Sequence, residues 1–315
     1  MSKLCLLYGE SSKSYSFPNN HSFNRARVER FWELLNETIT FDEYGITVLE
    51  PSMASEEDIL LFHTNEYIQF VKKASENGFG YLDNGDTPVF RGVFEAACNV
   101  IGATLEGLDM LMRGRSNIVF NPVGGLHHAR KDKAGGFCVF NDPAVAIAKA
   151  RATYGVKRIF YVDIDAHHGD GVCYDYYNDS EVFTADIHED GKYLYPGTGS
   201  SDQTGLDEAV GTKLNIPLPP GSGDKEFMES FKMIDEHAEK ADAKLIIFQC
   251  GADGLEGDPL THLKYSLEAY RFATEKVIKY SESYDDCKLM VLGGGGYNVE
   301  NVAHAWVKVV KTLLT

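Results

Sequence analysis

Short apolar runs recur along the chain at residues 4–8, 46–49, 117–120, 158–162, 182–187, 213–216, 245–249 and 289–292. Each is short and rich in β-branched or aromatic residues, the pattern of buried strands. Between them, residues 92–112, 262–281 and 298–314 carry apolar positions at helical spacing. Ser55-Glu56-Glu57-Asp58 reads as a capping box that opens a helix over 59–73. Eight strands alternating with helices predict one α/β domain over residues 1–315. Its central eight-stranded sheet should be mainly parallel and covered by helices on both faces. No repeat, low-complexity tract or linker divides it.

The polar residues are concentrated where those runs end. After 117–120 comes Asn121-Pro122-Val123-Gly124-Gly125-Leu126-His127-His128. After 158–162 comes Asp163-Ile164-Asp165-Ala166-His167-His168-Gly169-Asp170-Gly171, and 182–187 leads through Asp186-Ile187 to His188. Later strands end in Gly251-Ala252-Asp253 and in Gly293-Gly294-Gly295-Gly296-Tyr297. Open parallel sheets build their sites at the carboxyl ends of strands. Side-chain alternation along a strand predicts that Asp163, Asp165 and His167 project to one side.

Asp165, His167 and Asp253 supply two carboxylates and one imidazole and leave a coordination position open. That is the donor pattern of a catalytic rather than a structural metal, which thiolates usually close. Such a metal polarises a carbonyl and acidifies a water. The tandem pair His127 and His128 suits a general base and a general acid, each needing a carboxylate to fix its tautomer, and Asp163 and Asp170 are at hand. Tyr297, following four glycines that permit close backbone approach, is a candidate oxyanion donor. The glycine run lacks the G-x-G-x-x-G register of a dinucleotide loop. His21, His63, His188, His237, His262 and His304 lack comparable context and read as structural or surface histidines.

Composition narrows the partners. A net charge of −17 argues against a nucleic-acid-binding surface. The six cysteines have no C-x-x-C spacing and read as reduced thiols. No signal-like segment or bilayer-length apolar run is seen, so a soluble cytoplasmic protein is expected.

These motifs resemble the zinc-dependent histone deacetylase superfamily, which includes bacterial acetoin-utilisation-type deacetylases and acetylpolyamine amidohydrolases. The likeness runs from His21-Ser22-Phe23-Asn24 to Gly293–Tyr297. It includes Gly-Gly-Leu-His-His, Gly-Gly-Phe-Cys-Val-Phe-Asn-Asp, Asp-Ile-Asp-Ala-His-His-Gly-Asp-Gly, Tyr-Pro-Gly-Thr-Gly and Gly-Ala-Asp-Gly-Leu. The resemblance implies an arginase/deacetylase-like fold and a zinc ion, or ferrous iron, on Asp165, His167 and Asp253. It pairs His127 with Asp163 and the general base His128 with Asp170, and gives Tyr297 the oxyanion role. Gly136, Phe137, Tyr195 and Leu260 match the acyl-lysine tunnel, Asp86 the rim aspartate and Arg27 the acetate-exit arginine. Asp163, Asp165, His167, Asp186 and Ile187 match a structural potassium site.

Three positions depart from the family pattern. Tyr195 stands where Phe is common, Asp186 where Ser is common, and Pro143 where an aliphatic residue is usual. The short C-terminal end suggests a bacterial or archaeal type. The implied reaction is hydrolysis of an N-acetyl group on a protein or peptide lysine, with acetylated polyamines as the alternative substrate and no nucleic-acid or membrane partner. A two-metal arginase-type hydrolase fits less well, because Asp165-Ala166-His167 and Asp253-Gly254-Leu255 lack the extra bridging acids. A non-catalytic acyl-lysine binder would have no need of the complete set.

Overall fold

Each of the eight apolar runs forms a strand in the computed structural model, which describes residues 2–19 and 21–315. The strands are β1 Ser2–Leu7, β2 Ile46–Leu49, β3 Ser116–Asn121, β4 Ile159–Asp163, β5 Val182–Glu189, β6 Lys213–Leu218, β7 Leu245–Gln249 and β8 Lys288–Leu292. They form one sheet in the order β2-β1-β3-β8-β7-β4-β5-β6. Every pairing is parallel, so the expectation of a mainly parallel sheet is exceeded. Strands β4, β5 and β7 are buried at every residue, which requires cover on both faces.

The helices supply it. They are α1 Ala26–Thr38, α2 Phe41–Tyr44, α3 Glu56–Ile59, α4 Asn65–Asn77, α5 Val93–Met112, α6 Asp142–Tyr154, α7 Asp170–Asp175, α8 Asp224–Ala241, α9 Leu267–Ser283 and α10 Val299–Leu313. One layer runs through α1, α10, α9 and α8, and another through α4, α5, α6 and α7. The periodic segment 92–112 matches α5, and 298–314 matches α10 with Asn298 as its cap. Pro143 falls in the first turn of α6, where a missing N–H costs nothing.

Two segments differ from the sequence expectation. The capping box at Ser55 and Asp58 forms, but the helix stops at Ile59 and restarts at Asn65 behind a Thr64 cap. The break frees the backbone so that Thr64 N donates to Lys131 O, and it sends buried His63 to Asn141 N. Residues 262–265 are not helical either. They make parallel bridges, Lys264 with Gly223 and Tyr265 with Leu255, before Ser266 caps α9.

The register places the polar strand ends on one level. Asn121 lies opposite Leu292, Leu292 opposite Gln249, Gln249 opposite Asp163, and Asp163 opposite Asp186. The loops that leave this row carry the candidate chemistry. No described helix is long and apolar enough to cross a membrane. All six cysteines are free thiols.

Candidate active site

Strand β4 ends at Asp163, so strand alternation does not place Asp165 and His167. The turn does it by hydrogen bonds. Asp165 N donates to Asp163 Oδ1 at 3.0 Å, and His167 N donates to Asp165 Oδ1 at 3.0 Å. The third group, Asp253, arrives from the end of β7, where Ala166 N donates to its Oδ1 at 2.7 Å. His167 Nδ1 lies 3.1 Å from Asp165 Oδ1 and 2.9 Å from Asp253 Oδ2. One ligand atom from each residue falls within 4.8 Å of the other two, and all three residues are buried.

Two carboxylates facing one another in a buried site require positive charge between them. Burial works against a charge on His167, yet Asp165 and Asp253 hold it at about 10. Burial and the repulsion from Asp165 push Asp253 up to about 7. The proton drawn onto His167 marks where a divalent cation fits, since a cation would satisfy both acids and release that proton. Two carboxylates and an imidazole suit zinc or ferrous iron.

The support around the acids is specific. Asp165 Oδ2 accepts from Gln249 Nε2 at 2.9 Å and from Gly295 N at 2.8 Å. The glycine run makes this possible, because a Cβ on Gly295 would lie 2.4 Å from Asp253 Oδ2. No sequence pattern marks Asp258 as part of the site. Asp258 accepts from Tyr297 N at 2.7 Å and from Leu260 N at 2.9 Å, setting both residues. A polar residue closing the apolar run 245–249 was the available signal for Gln249.

His127 and His128 sit in the loop after β3. Asp142 holds that loop, accepting from Gly125 N at 3.0 Å, Leu126 N at 2.8 Å and Thr104 Oγ1 at 2.6 Å. Asn141 adds bonds to the carbonyls of His127 and Ala129. His127 Nδ1 is 2.8 Å from Asp163 Oδ2, which also accepts from Tyr161 OH at 2.6 Å. His128 Nδ1 is 2.7 Å from Asp170 Oδ1, and the two Nε2 atoms are 3.1 Å apart. Burial opposes a charge on His127, but Asp163 and Asp165 hold it at about 10. Burial and the charge on His127 push His128 down to about 4, against the pull of Asp170. The pair is therefore divided at neutral pH into a cation and a neutral base.

A cavity of about 900 Å³ opens onto this centre. His128, His167 and Tyr297 line its buried end, Gly136 and Phe137 its wall, and Tyr195, Leu260 and Asp86 its exposed side. The Tyr297 ring lies edge-on to Phe137 at 5.8 Å and to His167 at 6.2 Å. Burial, then Asp253 and Asp165, hold the Tyr297 phenol well above its usual range, so it stays a donor. Phe137 has φ 66°, a conformation costly for a bulky residue. Tyr15 pins it, donating to Phe137 O at 2.6 Å while accepting from Val139 N at 3.0 Å. Gly136 is needed beside it, since a Cβ there would lie 2.3 Å from His128 Cδ2.

Other predicted positions lie outside the cavity. Arg27 is buried behind the glycine run, with Nη2 donating to Gly294 O at 2.6 Å and its guanidinium 4.1 Å from the Phe23 ring centroid. Asp186 Oδ1 pairs with His188 Nδ1 at 2.6 Å, and Oδ2 accepts from Gly169 N at 2.8 Å. Burial works against the Asp186 charge, but His188 holds the carboxyl below its usual range. His188, read from sequence as an ordinary histidine, is thus the counter-charge for the unusual acid. Ile187 is fully buried.

Comparison with known proteins identifies the family and the fold. The model of the histone deacetylase domain matches residues 21–313. The acetoin utilization protein AcuC of Bacillus subtilis (strain 168) is 39% identical over 312 residues, covering 96% of this chain and 80% of its own length. AcuC of Staphylococcus aureus (strain MRSA252) is 33% identical over 325 residues, covering 100% of this chain and 82% of that protein. The crystal structure of the HDA15 HD domain superposes with a TM-score of 0.90 at 25% identity, covering 100% of this chain and 90% of that one.

Replacing Gly295 with alanine tests the buried triad directly. The added methyl forces Asp253 and Asp165 apart, and divalent metal uptake, counted on purified protein, should fall at least about tenfold while circular dichroism shows the fold retained.

Proposed function

Because this chain belongs to the histone deacetylase family, we propose that it hydrolyses the acetyl amide on the ε-nitrogen of lysine and releases acetate. The observation that carries this reading is the meeting of the Asp165–His167–Asp253 triad, the divided His pair and Tyr297 at the buried end of one cavity. The alternative of a two-metal site gains no support, since among the described residues this cluster contains two carboxylates and one imidazole and no further bridging acid.

Asp165, His167 and Asp253 would hold zinc, with ferrous iron as the alternative; bound there, such a cation polarises the acetyl carbonyl and acidifies the attacking water. His128 is neutral, with Nδ1 directed to Asp170, and its Nε2 takes the proton of the attacking water once that water displaces the 3.1 Å contact with His127 Nε2. His127 stays cationic against Asp163 and stabilises the negative charge that develops. The Tyr297 hydroxyl donates to the acetyl oxygen as it gains charge. The proton held on His128 then passes to the departing lysine amine. Phe137 and Tyr195 flank the methylene stem of the substrate, and Asp86, at the exposed side, receives its backbone N–H groups.

Lysine is favoured over a polyamine by the charge around the mouth. Arg130 and Lys133 line the same cavity as Asp83 and Asp86, so a polycation does not meet a uniformly acidic entrance. Arg27, beyond the glycine run, is assigned to acetate release. A potassium ion near Asp163, Asp165, His167, Asp186 and Ile187 would rely on main-chain oxygens, because both Asp186 carboxylate oxygens are engaged.

The assay compares a fluorogenic acetyl-lysine peptide with N-acetylspermidine. The peptide should be turned over with the higher kcat/KM. Tyr297→Phe should lower kcat by about 10²–10³-fold and His128→Ala by about 10²–10⁴-fold. Preference for acetylspermidine would replace the lysine reading, and inactivity on both would remove it.

The pH profile gives a second check. The base must be neutral, so activity is lost as pH falls through the value of His128. Burial and His127 lower that value to about 4, which sets the acid limb of kcat/KM well below the ordinary imidazole range. His127→Gln removes the neighbouring charge and should move the limb upward.

A further inference from the structure

Lys213, the first residue of β6, is a buried lysine that forms no ion pair with any acid among the described residues. It is 1% exposed, and its ammonium donates to Asp179 O at 3.0 Å, to Val182 O and to Thr212 Oγ1 at 2.9 Å. The nearby carboxylate of Asp179 is committed elsewhere, to Arg151 and to Glu181 N. Burial lowers the Lys213 amine to about 8, which leaves it charged at neutral pH. A buried charge without an ion partner is expensive unless several oriented dipoles surround it.

The surroundings have a recognisable chemistry. Two main-chain carbonyls and one hydroxyl converge on a single positive charge, and no carboxylate takes part. Neutral oxygens in such a ring are the donors that select monovalent cations of potassium size. We propose that Lys213 is a tethered monovalent cation: its ammonium fills a latent site formed by Asp179 O, Val182 O and Thr212 Oγ1, which a free potassium or ammonium ion would occupy if the side chain were removed.

The site lies where an anchor matters. Asp179 O belongs to the connection from α7 to β5, and Val182 O to the first residue of β5. Helix α7 opens with Asp170, the partner of His128, and β5 carries Asp186. The same connection is held on its other side by Tyr176 OH, which donates to Ala144 O at 2.9 Å. Lys213 ties it to β6 with a charge that cannot dissociate, so this anchor does not depend on the ionic composition of the solution.

Thermal unfolding of the full chain tests this without any substrate, in choline, sodium, potassium and ammonium chloride at equal ionic strength. The wild-type difference between choline and potassium sets the baseline, including any ion bound near Asp186. Lys213→Ala should be less stable in choline and should recover, saturably, by at least about 4 °C more than that baseline in potassium or ammonium. Lys213→Met keeps the stem but carries no charge, and should be destabilised without extra recovery. Should Lys213→Ala not fold in choline, recovery of folded protein on refolding in potassium or ammonium alone supports the site, and failure in every salt overturns it. A Met variant as stable as wild type, or an Ala variant with no cation response beyond the baseline, also overturns it.

Discussion

Two carboxylates, Asp165 and Asp253, are held face to face in a water-poor interior, and most of the surrounding structure follows from that. Like charges so placed repel strongly at low dielectric, so the fold must surround them with donors and leave one point for a cation. Ala166 N, Gln249 and Gly295 N supply the donors, and His167 closes the set. The glycine run after β8 exists on these terms. At Gly295 its backbone crosses the acids so closely that a Cβ would collide with both.

The same constraint governs the polar groups around the triad, and each buried acid has its own answer. Asp163 is bracketed by Tyr161 and His127, Asp170 faces His128, Asp186 is matched by His188, and Asp142 accepts from backbone amides and Thr104. The alternation of charge along Asp163, His127, His128 and Asp170 divides the two imidazoles. One neighbour's charge excludes the other's, so adjacent and chemically identical residues acquire different roles. Lys213 is the converse case, a buried cation answered by neutral oxygens.

Much of this was legible beforehand. The strands could be read because burial on both faces leaves short, nearly continuous apolar runs, and the site residues because polar groups crowd the ends of those runs. What escaped notice had non-local causes. The helix expected over 59–73 breaks because Thr64 N and His63 are drawn to the loop at 131 and 141. Gln249, Asp258 and His188 matter only through partners far away in sequence. Residues 262–265 are extended because they bridge to 223 and 255, which a helical pattern does not reveal.

Sequence alone determined which residues are strands, which side chains can bind a metal or move a proton, and which family they resemble, because periodicity and residue chemistry are local properties. Tertiary structure decided that β8 lies between β3 and β7, so that the ends of β3, β8, β7, β4 and β5 stand side by side. It also decided which imidazole carries charge and what Asp186 and Lys213 pair with. Those outcomes depend on distances and burial between segments far apart in the chain, and electrostatic energy is fixed only once these are known.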